Sequence, residues 1–147
     1  MFSKEESRIL RHKFWTSFGK SFPRKWLLYD TKIKGVAFKF HFDTKSALVA
    51  LDLEDHLENR INSWEKLVAL KNILHNEYLP EAIYSEDYFL ENGKEISRIY
   101  LPLEKKVSIH NKNTWRDAME FFNEKMNLFE AFFEDYRDII TSYINDN

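Results

Sequence analysis

The stretch VAFKFHFDTKSALVALDLE, residues 36–54, decides the fold. Side chains alternate between the two faces of a strand, so Val36, Phe38, Phe40 and Phe42 share one face. A loop at Thr44-Lys45 that pairs Asp43 with Ser46 sets Phe42 opposite Ala47, Phe40 opposite Val49, Phe38 opposite Leu51 and Val36 opposite Leu53. All four pairs are apolar. A slip of one residue would turn the phenylalanines toward water, so the register is strongly specified. The other face carries Ala37, Lys39, His41, Leu48, Ala50 and Asp52. Thr-Lys is a poor primed two-residue turn, which leaves room for a longer loop of the same register parity.

Helices are expected on both sides of this hairpin. Ser3 caps a first helix with Glu5 and Glu6 in its first turn. Ile9, Leu10, Phe14 and Phe18 recur near helical spacing, Trp15 widens the face, and Gly19 and Pro23 mark its end. Trp26 to Tyr29 reads as a short strand or extended segment, and Gly35 opens the hairpin. After it, Asp55 with Glu58 resembles a capping box. The helix it starts is expected to run to about Tyr78 and to stop before Pro80.

Asn92-Gly93 then signals a second hairpin through a type I′ turn. That turn sets Phe89 opposite Ile96 and Asp87 opposite Arg98, a cross-strand ion pair. Pro102 confines its strand to an edge or an end. Val107 to Ile109 is a candidate further strand. Thr114 caps a last helix from Trp115 to about Ile144, about 45 Å long at 1.5 Å per residue. Its apolar stripe from Trp115 to Tyr143 is broadened by Phe121, Leu128 and Phe132, so it must be deeply buried or shared with a partner. The fold class is therefore α+β: an antiparallel sheet of two hairpins plus short strands, with an N-terminal helix, a middle helix and a long C-terminal helix packed on the sheet. The 147 residues are expected to form a single domain.

Composition excludes several function classes. There is no cysteine, so thiolate metal sites, disulfides and cysteine nucleophiles are out. The charged N-terminus is not a signal peptide. No run approaches the roughly 18 apolar residues of a membrane span, so no membrane partner is expected. A cytoplasmic location is expected. Three glycines argue against phosphate-cradling loops, and the five histidines show no metal-ligand spacing. No cofactor is implied.

Charge is unevenly distributed. Between Arg11 and Lys45 nine Lys/Arg face two acids, +7, so the remaining chain carries −9 to reach the net −2. Such asymmetry marks either a surface for an anionic partner or a segment that pairs with acidic helices of its own fold. Within it Arg24, Lys25, Lys32 and Lys34 flank Trp26 and Tyr29, and Lys39 and His41 follow on the hairpin's polar face. Cations meet phosphates and aromatics stack on unpaired bases, so these eight residues are the candidate nucleic-acid-binding set. The alternative is Trp26 and Tyr29 in a core with lysines solvating its edge.

The competing enzymatic reading is a magnesium-dependent nuclease using Asp52 and Glu54. Their i, i+2 spacing puts two carboxylates on one face, as a metal that orients an attacking water requires. The third acid, Asp43, falls at the other end of the hairpin, some 15–20 Å away by strand geometry, too far to share a metal. The bland alternative is a set of solvated strand-end acids. A third reading is a structural module that forms a homodimer through its C-terminal helix. The preferred reading is a non-enzymatic binding module.

Several motifs occur together: Phe14-Trp15 with Phe18, Ile33-Lys34-Gly35-Val36, Glu91 to Glu95 before Ser97-Arg98-Ile99-Tyr100, then Trp115 and Phe132 to Asp138. As a set they resemble the bacterial domain-of-unknown-function 4268 family over nearly the whole chain. The family has no assigned activity. Some of its longer members carry the domain after a nuclease-like region, so the resemblance implies a connection with nucleic-acid metabolism or defence.

Overall fold

The computed structural model describes residues 2–145, with side chains described to Thr141; the side chain of Tyr143, in the expected helical stripe, lies outside these. Helix α1 (Lys4–Ser21) starts from the expected cap: Ser3 Oγ accepts from Glu6 N at 3.1 Å, and the Glu6 carboxylate accepts from Ser3 N at 3.2 Å. Strands β1 (Val36–Phe42) and β2 (Ala47–Leu53) pair in the register read from the alternation, from Phe42 against Ala47 to Val36 against Leu53. Helices α2 (Leu57–Ala69) and α3 (Lys71–Glu77) follow, then β3 (Ile83–Phe89), β4 (Glu95–Pro102), α4 (Trp115–Asp135) and α5 (Arg137–Asn145). The class is α+β, and one antiparallel sheet runs in the order β1-β2-β4-β3.

The phenylalanine face of the first hairpin carries the core. Phe38 meets Phe129 and Phe133 of α4 edge-on at 5.3 and 5.4 Å between ring centres. Phe42 and Phe122 both pack against Phe14 of α1. The wide apolar arc of the last helix is buried within the chain, Phe121 and Phe132 included. Every residue of β2 is buried. Strands β1 and β4 flank it on both edges, α4 packs on it, and Lys39 and Arg98 close over Asp52 on its polar face.

Several local expectations are corrected. The middle helix breaks at Leu70 (φ −96°, ψ 5°), where Leu70 N turns to Leu67 O, and the last helix breaks at Tyr136 (φ −116°, ψ 16°). The second break lets α5 pack on α2. Asp55 does not cap α2: the N-cap is His56, and Asp55 accepts instead from His56 N and Asn59. Thr114 likewise gives α4 no side-chain cap; its hydroxyl donates to backbone carbonyls of Ser108 and Asn111. Neither Trp26–Tyr29 nor Val107–Ile109 is a strand.

The second hairpin also departs from expectation. Its loop has three residues, Glu91 to Gly93, closed by Leu90 N to Lys94 O, with Gly93 left-handed at φ +87°. This sets Phe89 against Glu95 and Tyr88 against Ile96. A bulge then adds one residue to β3, so Ser85, not Asp87, faces Arg98. Ser97 Oγ fills the bulge by donating to Glu86 O at 2.6 Å. Pro102 ends an interior strand, where the missing N–H is harmless.

Candidate functional site

The segment between α1 and β1 is irregular yet firmly held. Glu130 of α4, buried, accepts from Leu27 N at 2.8 Å and from Arg24 at 2.6 Å, and the Arg24 guanidinium lies 4.4 Å over the Trp26 ring. Burial raises the Glu130 carboxyl against the opposing pull of these donors. Phe38 N of β1 donates outward to Leu28 O, and the buried Thr31 hydroxyl donates to Val36 O at 2.7 Å. Arg137 donates to Thr31 O. Leu28, Lys32 and Gly35 all adopt positive φ. Gly35 suits its place: its φ is +80°, and a Cβ would stand only 3.0 Å from both Asp55 Cβ and Glu54 O.

This folding brings the segment against the far end of the hairpin. Tyr29, Lys34, Gly35, Lys39, Asp52 and Glu54 line one cleft of about 250 Å³. Residues taken from the sequence as two rival sites therefore share one wall. Lys39 stands diagonally from Asp52 on the polar face of β1–β2 and bonds Glu54 at 2.6 Å and Asp52 at 3.2 Å. Arg98, directly opposite Asp52 across β2–β4, grips both its oxygens at 2.6 and 2.8 Å. Lys94 takes the second oxygen of Glu54 at 3.1 Å.

The electrostatic consequence is direct. Asp52, expected as a solvated strand-end acid, is 1% exposed. Its burial is compensated by a bidentate guanidinium and an ammonium, the condition a buried carboxylate needs. The hydrogen bond from Lys39 holds the Glu54 carboxyl below its usual range, against burial and with help from Lys94. Burial pulls the Lys39 ammonium down, but Glu54 and Asp52 more than reverse it, and its pKa is raised. In the lining Lys34 and Lys39 balance Asp52 and Glu54; Lys94 and Arg98 bring two further cations to the same acids, and Asp55 lies in the field of Lys34. A magnesium ion on these carboxylates would have to displace three cations. No group of three or more His, Asp or Glu that could hold a metal occurs among the described residues.

The eight sequence-named binding residues separate into four sets. Tyr29, Lys34 and Lys39 line the cleft; Tyr29 is 77% exposed, so it is not core. Lys25 and Lys32 lie on the same segment, Lys32 exposed and paired to Asp30 at 2.7 Å. Arg24 and Trp26 serve the anchoring to α4. His41 bonds Asp43 at 2.8 Å and faces a separate hollow shared with Tyr88 and Arg98. Asp43 itself closes the turn with Ser46, at the opposite end of the hairpin from Asp52. The sequence reading assigns Lys94 no role and pairs Arg98 with Asp87, where the structure pairs it with Asp52. The register of the first hairpin already places Lys39 beside Asp52, but nothing local announces that β4 pairs with β2.

Comparison with curated proteins and with solved structures gives no match. The sequence model of one family does match, over residues 10–137, a span that takes in the whole cleft. The chain belongs to the family described as domain of unknown function (DUF4268).

Proposed function

We propose that this domain is a non-enzymatic binding module whose cleft takes single-stranded nucleic acid. The observation that carries the reading is Tyr29. It is a large aromatic left in solvent by a loop anchored to α4, α5 and β1, at the mouth of a cleft whose carboxylates are already neutralised. An exposed ring on an anchored backbone can stack a base, and stacking is worth about 1–3 kcal/mol per base. Lys25 and Lys34 make no ion pair among the described residues; each feels one nearby acid, Asp30 and Asp55, and both are exposed cations offered to phosphate. Lys39 adds positive potential while bonded to its acids.

Fluorescence anisotropy of a labelled oligothymidylate at low salt tests this. The native protein should bind. Tyr29→Ala should weaken binding by about one order of magnitude or more, and Lys34→Glu should weaken it further. Absence of binding by the native protein, or unchanged binding by both variants, overturns the proposal.

A second copy is not required to cover α4, whose arc is buried internally. The exposed Leu57, Ile61 and Val68 of α2 are where self-association would be sought, and sedimentation decides it. No helix among the described residues is long and apolar enough to cross a membrane. A cytoplasmic site of action belongs to the proposal, and cell fractionation tests it.

A further inference from the structure

A second cavity, about 420 Å³, lies between α1 and the short 3-10 turn at Lys112–Thr114. That size falls in the ~300–1,000 Å³ range of small-ligand pockets. One side is apolar: Phe2, Ile9 and Leu10. Phe2 and Ile9 are among the exposed large hydrophobic side chains of the molecule. Phe2 is positioned by ring contact with His110 at 4.4 Å, and His110 is itself tied to Ser7 Oγ at 2.9 Å.

Two exposed lysines, Lys13 and Lys112, line this cavity. Lys13 and Lys112 come close enough that Lys13 lowers the pKa of Lys112. Neither has an ion-pair partner among the described residues. Among the described residues the one acid in the lining, Glu6, is already occupied: its carboxylate accepts from Ser3 N in the cap of α1. Two neighbouring cations without an ion-pair partner favour a bound anion between them. Beside them lies an apolar wall left in water, which a hydrocarbon chain would cover favourably.

We propose that this cavity binds a small amphipathic carboxylate, its head group between Lys13 and Lys112 and its aliphatic chain on Phe2, Ile9 and Leu10. The two halves of the lining ask for the two halves of one molecule. Neither a plain alcohol nor a bare anion satisfies both. Phe2, Glu6 and Ile9 precede the residues matched by the family model, so the site belongs to this chain's first helical turns as much as to the shared domain.

The test is a titration of the ¹⁵N-labelled full chain with decanoate below its micelle threshold, followed by amide shifts. Decanoate should give saturable shifts confined to the neighbourhood of Ile9, Lys13, His110 and Lys112. Decan-1-ol and acetate at the same concentrations should give none that saturate. The double variant Lys13→Ala/Lys112→Ala should bind decanoate about tenfold or more weakly. Ile9→Ser should also weaken it, with both variants keeping the native spectrum elsewhere. The proposal is overturned if decanoate shifts nothing, if its shifts spread over the surface, or if decan-1-ol or acetate binds as well. It is also overturned if the double variant binds decanoate unchanged. The same holds if the cavity amides shift with protein concentration alone, which would make a second copy the occupant.

Discussion

Arg98→Met is the most informative single perturbation of the charge network beneath the cleft. Arg98 and Asp52 are both buried and joined by two short hydrogen bonds. Removing one member of a buried pair costs about 3–5 kcal/mol, because the other charge remains uncompensated. Here Lys39 still reaches Asp52 at 3.2 Å, which places the loss at the lower end, about 3 kcal/mol. For a chain of this size that corresponds to roughly 6–12 °C in Tm. Met keeps an unbranched stem against the Tyr88 ring, over which the guanidinium sits at 4.5 Å, so the loss reports mainly charge. The double variant Asp52→Leu/Arg98→Met removes both charges and should be at least about 2 kcal/mol more stable than Arg98→Met alone. Urea unfolding followed by circular dichroism measures both, with an unchanged m-value as the check on comparability. A loss under about 1 kcal/mol for Arg98→Met, or a double variant as unstable as the summed single changes, would refute the claim that the pair is electrostatically closed.

The remaining expectations concern glycines and titration. Gly93→Ala meets open space and bears only the left-handed penalty, about 1–2 kcal/mol, whereas Gly35→Ala adds a collision with Asp55 and Glu54 and should cost clearly more in the same urea assay. Glu54 is held below its unfolded value of about 4.3, so its contribution is full above that pH and is lost as pH falls through the lower folded value. Stability measured on descent from about pH 5 should therefore drop less steeply in Glu54→Gln than in the native protein. Tyr78 donates to Asp135, which pushes its phenol up to about 12; Asp135→Asn should bring one tyrosine back toward the ordinary value in an alkaline ultraviolet titration.

What the sequence disclosed follows the range of its interactions. The first hairpin was legible to the residue, because strict alternation admits a single register that sets Val36, Phe38, Phe40 and Phe42 all against apolar partners. The second hairpin was legible as a hairpin but not in register. Asn92-Gly93 fits both a two-residue turn and the three-residue loop found, and a bulge at Glu86 and Asp87 has no sequence signature of its own. The breaks at Leu70 and Tyr136 have no Pro or Gly beside them; the break at Tyr136 accompanies the packing of α5 on α2, a contact between distant elements. In the cleft, Tyr29, Lys34, Lys39, Asp52 and Glu54 were each singled out, yet as parts of two incompatible chemistries. Only the β2–β4 pairing, which brings Arg98 opposite Asp52, turns a candidate metal-binding pair of acids into a neutralised wall.

The most direct test of the cleft as a nucleic-acid site is the salt dependence of oligothymidylate binding. On a single strand each phosphate neutralised contributes about −0.7 to the slope of log K against log salt. With Lys25 and Lys34 as the two phosphate contacts, the native slope should be about −1.4, and Lys34→Ala should reduce it to about −0.7. Tyr29→Ala should lower affinity and leave the slope alone. A slope near zero in the native protein, or one that Lys34→Ala does not change, would contradict the assignment.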